Sequence, residues 1–114
     1  MNCHSGQTMK LLKKISVNTP MKSCCLVRKA MGDAGAGKVS GYSHCSFSIK
    51  GVGRSIPGLE TNPFIGSEGE YESIEEEKIE SFCEASELEQ IVSAIKEVHP
   101  YEEPVITVQN IEIY

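Results

Sequence analysis

The hexapeptide from His99 to Pro104, HPYEEP, concentrates more chemistry in six positions than any other stretch of this 114-residue chain. An imidazole, a phenol and two adjacent carboxylates (His99, Tyr101, Glu102 and Glu103) share it with Pro100 and Pro104, whose fixed φ stiffens the segment. Two readings are open. The polar groups line a cleft, where the carboxylates suit a cation or a hydrogen-bond donor, or His99 simply caps the carbonyls ending a helix. Cys45, with His44 beside it, is the other reactive candidate. A thiol nucleophile needs an imidazole next to it in space, whereas Cys45 also alternates with Phe47 and Ile49 as a small buried hydrophobe does. Used together, Cys45, His99 and the Glu102/Glu103 pair would make a small metal-handling protein or enzyme. Against a dedicated metal centre, His4, His44 and His99 are too far apart for a local ligand pair, and no CxxC occurs. No cofactor is specified, and a divalent cation is the one candidate.

The run Gly32-Asp33-Ala34-Gly35-Ala36-Gly37-Lys38 satisfies G-x4-G-K. A phosphate loop follows a strand, opens a helix and carries Ser or Thr after the lysine. Here the glycines follow a helical pattern, precede an extended one, and Val39 comes next. With no helix N-terminus to face a phosphate, ATP is not expected to bind there.

Around these residues the chain reads as one domain. Hydrophobic residues make up 39% and charged residues 24%, which excludes wholesale disorder, and no apolar run reaches the ~20 residues of a membrane span. The start, MNCHSGQTMK, lacks the basic-then-apolar pattern of a secretory signal. Five cysteines, odd in number and without a pairing pattern, point to reduced thiols and a cytoplasmic location. The net charge of −5 hides an asymmetry: residues 1–57 hold nine Lys and Arg against one Asp, and residues 58–114 hold two Lys against fifteen Glu. The lysines are scattered without aromatic interleaving, so basic and acidic parts of one fold, or of neighbouring subunits, explain them better than nucleic acid does.

A short strand is predicted over Leu11–Val17, followed by a helix opened by Thr19 as N-cap and Pro20, running to about Met31 with Met21, Cys24, Cys25 and Arg28 on one stripe. A second strand is predicted over residues 39–49, then a long glycine-rich connection over 51–69, a third strand over Ile74–Cys83 and a last one over Val105–Ile113. Between the last two, Ser86 and Glu89 form an S-x-x-E box ahead of the stripe Leu88, Ile91, Val92, Ile95 and Val98, ended by Pro100. The order β-α-β-β-α-β defines an α+β, ferredoxin-like sandwich with both helices on one face. One sheet face is left uncovered, so a homo-oligomer is expected, with 51–69 as an arm reaching a neighbour.

Four stretches in order, GAGKVSGYSHCSF (Gly35–Phe47), NPFIG (Asn62–Gly66), EKIE (Glu77–Glu80) and HPYEEP, resemble the YqfO-type domain. That domain is inserted in the Nif-three-like dinuclear-metal proteins and also stands alone; HPYEEP is similar to the corresponding element of the CutA relatives of PII signalling proteins. The resemblance covers residues 11–113. It implies a PII/CutA-like fold, residues 1–10 being an N-terminal extension and 11–114 the domain, and a trimer as the expected assembly. It brings no dimetal chemistry, because the metal ligands of those proteins lie outside the inserted domain. The function expected is an oligomeric binding or regulatory module whose partners are itself and a small ligand, divalent cation or protein, not nucleic acid or membrane. Its cleft is expected where segment 35–47 of one copy meets 99–104 of another, formed by Tyr42, Cys45, His99, Tyr101, Glu102 and Glu103, with Gly35, Gly37 and Gly41 allowing close backbone approach.

Overall fold

The computed structural model describes residues 9–59 and 66–114; the NPFI part of the second motif lies outside them, as do residues 1–8 of the expected extension. Four strands, β1 (Lys10–Pro20), β2 (Phe47–Ser55), β3 (Glu72–Cys83) and β4 (Ile106–Ile113), form one antiparallel sheet in the order β2-β3-β1-β4. Helices α1 (Cys24–Asp33) and α2 (Leu88–Val98), each entered through a short 3-10 turn, connect β1 to β2 and β3 to β4. This is the ferredoxin-like α+β order, with β2 and β4 as its edges.

The register sorts side chains between two faces. Ile15 and Val17 of β1 lie opposite Ser81 and Ile79 of β3, and with Val27 and Met31 of α1 and Ile91 and Ile95 of α2 they form the core. Alternate residues face the other way. That open face runs from Lys10, Leu12 and Ile113, past Phe82, Lys14, Phe47, Glu80 and Lys78, to Glu76, Ile74 and Glu72. No helix among the described residues covers it: Phe47 is 66% exposed and Ile49 49%.

Several local expectations are corrected. Thr19 does not cap α1: β1 continues through Pro20, opposite Glu76, and Pro20 stands at the N-cap of the 3-10 turn. Thr19 is therefore held in the ladder with its hydroxyl buried and without a hydrogen-bond partner. The buried stripe of α1 is Cys24, Val27 and Met31, whereas Cys25 is exposed, because the larger Val and Met side chains are the ones that meet the core. The capping box of the second helix is made by Glu84 and Glu87, two residues before Ser86 and Glu89, because the entry turn begins at Ala85.

The second strand starts at Phe47 rather than Val39. Residues 39–42 instead close on themselves as a tight hairpin, with Val39 and Tyr42 exchanging two backbone hydrogen bonds of 3.0 and 2.8 Å. Positive φ at Ser40, Gly41 and His44 (47°, 86° and 62°) excludes a continuous strand there. The shift carries β2 into the stretch expected to be loop. Its Gly51 and Gly53 pair with Glu76 and Ile74, so β2 and β3 project as a two-stranded arm, and the long dimension of the molecule reaches 58 Å.

Candidate functional site

The link between α2 and β4 is positioned by His99. Ladder pairing between β1 and β4 ends at Val17–Ile106, which leaves the next carbonyl of β1, Asn18, without a strand partner on that side. His99 supplies one: its Nε2 donates to the Asn18 carbonyl at 2.7 Å, while Nδ1 accepts the Tyr101 backbone N–H at 3.1 Å. These two bonds define the neutral Nε2–H tautomer and engage both ring nitrogens, so His99 acts here as a buried organiser of the chain. The His99 and Tyr101 rings lie 4.8 Å apart, and the Tyr101 hydroxyl donates to Glu76 Oε2 at 2.5 Å. Glu76 in turn lies over Gly53 of β2, where an added Cβ would sit 2.1 Å from its Oε1. The chain from Asn18 through His99 and Tyr101 to Glu76 and Gly53 thus fastens the link to the base of the arm.

Burial and the Glu76 hydrogen bond push the Tyr101 phenol well above the usual tyrosine range. The folded state therefore keeps a proton that the unfolded chain releases above its ordinary pKa near 10, and this stabilisation is present below that pH and lost as pH rises beyond it. Tyr101→Phe is expected to cost about 1 kcal/mol at neutral pH. It should also flatten the alkaline fall in stability above about pH 10 in urea titrations. An unchanged alkaline slope would refute this account.

A cleft of about 490 Å³ opens between arm and link on the open face. Tyr101, Glu102 and Glu103 line it, as expected of a site, but they are joined by Asn18, Arg54, Glu72, Ile74 and Glu76. The arm residues Arg54, Glu72, Ile74 and Glu76 are not singled out by the sequence, in which 51–69 reads as a connection and Ile74–Cys83 as a strand. The signal was the alternation of Gly51 and Gly53, which removes side chains from one half of the arm's open face. Among the described residues no group of three or more His, Cys, Asp or Glu could hold a metal ion, so these carboxylates are spread around the cleft rather than converged.

Tyr42 and Cys45 lie elsewhere. The Cys45 carbonyl accepts from Ser81 Oγ at 2.7 Å, five residues along β3 from Glu76, which places it about 16 Å away at the usual rise per residue. Within one copy, Cys45 and the His99 link are not brought together. The segment around Cys45 is a clamped hairpin. Gly37 N–H donates to the Phe82 carbonyl at 2.8 Å and Cys45 N–H to the Gly37 carbonyl at 3.1 Å. Lys38 pairs with Glu87 at 2.6 Å, and His44 Nε2 lies 2.9 Å from Asp33 Oδ1, its ring against Gly32. At Lys38 α1 has ended and no helix begins, and its ammonium is held on α2's entry turn, which is not the geometry of a phosphate loop. Gly35, Gly37 and Gly41 all have positive φ, 120°, 80° and 86°, but only Gly37 makes a close backbone approach, to Cys45. At the hairpin tip Tyr42 is 72% exposed. The four described cysteines, Cys24, Cys25, Cys45 and Cys83, are free thiols, and burial pushes the Cys24 and Cys83 thiols up.

A sheet of this order with both helices on one face and a β2–β3 arm is a PII/CutA-like fold. The PII-like protein CutA from Nostoc sp. PCC 7120 superposes with a TM-score of 0.60 at 20% identity, covering 87% of this chain and 80% of that one. A protein related to NIF3 from Bacillus cereus superposes at 0.78 with 36% identity over 92% of this chain and 27% of its own. The GTP cyclohydrolase 1 type 2 homolog of Halalkalibacterium halodurans is 43% identical over 97 residues, 85% of this chain and 26% of that protein. Sequence and structure thus agree in relating this chain to the YqfO-type domain of the Nif-three-like proteins. No family model matches it. The chain spans about a quarter of the length of the curated relatives it matches. No helix among the described residues is long and apolar enough to cross a membrane.

Proposed function

We propose that this chain is a cytoplasmic, homo-oligomeric binding or regulatory module, a trimer, that takes a small ligand or a divalent cation at the arm–link cleft. The observation that carries the reading is the cleft itself. At about 490 Å³ it falls within the size range of small-molecule sites, and its walls are held by the Asn18–His99–Tyr101–Glu76 chain rather than by mobile side chains. Glu72, Glu76, Glu102 and Glu103 against the single Arg54 favour a cation or hydrogen-bond donor over a phosphate. The uncovered sheet face supports the assembly. In that assembly the outer part of the 35–47 segment of one copy, with Tyr42 and Cys45, completes the cleft of another beside Tyr101, Glu102 and Glu103, which His99 holds in place.

The test combines light scattering with thermal unfolding in the presence of Mg2+, Mn2+ or putrescine. The wild type is expected to be oligomeric at roughly 50 µM and to unfold at a higher temperature with at least one of these probes. Glu102→Gln with Glu103→Gln should abolish that shift and leave the oligomer intact. Loss of the oligomer in this variant, with no probe stabilising the wild type, would assign the two carboxylates to the subunit contact instead.

A further inference from the structure

We propose that Ser43, His44 and Asp33 form a second, solvent-facing site that hydrolyses small carboxylic esters with good leaving groups through an acyl-Ser43 intermediate. The site is independent of the arm–link cleft and complete within one copy. His44 Nε2 lies 2.9 Å from Asp33 Oδ1, and its Nδ1 lies 2.9 Å from Ser43 Oγ. An ionised carboxylate only accepts, so the neutral ring carries its proton on Nε2, which donates to Asp33. Nδ1 is then an acceptor, and the Ser43 hydroxyl donates to it. Lys29 Nζ, 2.7 Å from Asp33 Oδ2, and the His44 bond hold the Asp33 carboxyl below the usual carboxylate range. Carboxylate, imidazole and hydroxyl thus stand in the order that activates a serine nucleophile, with the two ring nitrogens exchanged relative to the common triad.

The backbone holds the imidazole in one place. His44 has φ of 62°, a conformation uncommon for a residue with a side chain, and its ring lies on the end of α1. Gly32 leaves the space for it: an added Cβ there would sit 2.0 Å from His44 Cδ2. Clamping of the hairpin accounts for the His44–Asp33 bond but not for Ser43, whose exposed hydroxyl fastens nothing else. The backbone N–H groups of Ser43 and His44 have no partner among the described residues, so two donors stand beside the nucleophile to receive an oxyanion. In the reaction Ser43 Oγ bonds to the ester carbonyl carbon as its proton passes to His44 Nδ1 and the carbonyl electron pair moves to oxygen. Return of that pair breaks the bond to the leaving oxygen, which takes the proton. Water then attacks the acyl-Ser43 carbonyl and gives its proton to Nδ1, and the serine oxygen leaves with that proton as the acid is released. An exposed nucleophile selects by the reactivity of the ester rather than by a fitted pocket, which sets the substrate class.

p-Nitrophenyl acetate and a fluorophosphonate test the site on the wild-type chain. Steady turnover of the ester is expected, with the acetyl group and the phosphonyl label both mapping to Ser43 by peptide mass spectrometry. Ser43→Ala should lower kcat/KM about 100-fold, the order contributed by a positioned general base. Gly32 is a positioning residue. By displacing the imidazole, Gly32→Ala should cost about as much in kcat at unchanged KM and slow fluorophosphonate labelling in parallel, with the helix content intact by circular dichroism. The free thiols are the competing nucleophiles. Label on Cys25 or Cys45 in place of Ser43, acetylation that stops without turnover, or a Ser43→Ala variant as active as the wild type would overturn the proposal.

Discussion

Gly37→Ala is expected to destabilise the domain by about 3 kcal/mol, the combined order of a strained backbone and an overpacked contact. Gly37 has φ of 80°, a conformation that side-chain-bearing residues rarely adopt. An added Cβ would lie 2.3 Å from the Cys45 carbonyl oxygen and 2.4 Å from its nitrogen, and both are backbone atoms that cannot rotate away. Nor can the strand simply shift, because Gly37 N–H is bonded to Phe82 of β3 and its carbonyl to Cys45. The substitution should therefore free the 38–45 hairpin from the sheet and bare the Phe82 carbonyl. Urea denaturation would show the loss, and hydrogen exchange would show it centred on residues 37–46. Gly41→Ala is the control: its φ is also positive, but nothing lies within 4 Å of the added atom, so only the conformational cost remains. Equal losses at the two positions would refute the steric argument.

Arg28→Ala is expected to cost about 2 kcal/mol, at the low side for a buried ion pair because the Arg28 side chain keeps a third of its exposure. Its guanidinium Nη1 reaches across from α1 to Glu77 Oε1 at 2.5 Å, and Nη2 lies 3.1 Å from Cys25 Sγ. Glu77 is on the core face of β3, only 9% exposed, in register with the buried Thr19. Removing Arg28 strands a carboxylate between sheet and helix. Combining Arg28→Met with Glu77→Leu should recover most of the loss, since two apolar side chains of similar size leave no unpaired charge. A double variant less stable than Arg28→Ala would show that the pair itself stabilises the fold beyond satisfying its own charges.

Much of the architecture was legible along the chain because it depends on local periodicity. The stripe Leu88, Ile91, Val92, Ile95 and Val98 can bury one face only as a helix, and Pro100 ends it; the structure gives Leu88–Val98. Where the reading slipped, a non-local contact had outweighed a local signal. Thr19 has the side chain of a good N-cap, but pairing of β1 with β3 through Pro20 keeps it extended. Residues 39–46 alternate like a strand, yet the clamps to Phe82, Ser81, Glu87 and Asp33 fold them into a hairpin.

The amino-acid sequence by itself determined the order of elements, the two-faced helices, the rigid HPYEEP link and the absence of a phosphate-loop geometry at Lys38. These follow from side-chain spacing, proline and glycine, which act over a few residues. The tertiary structure alone decided which groups share a cleft. His99 reaches Asn18 across 81 positions and Tyr101 reaches Glu76 across 25, and such contacts depend on strand register, which pattern leaves open by any even number of residues. That register turned Glu72 and Glu76 into one wall of a cleft, and placed Cys45 five residues along β3 from Glu76, the partner of Tyr101.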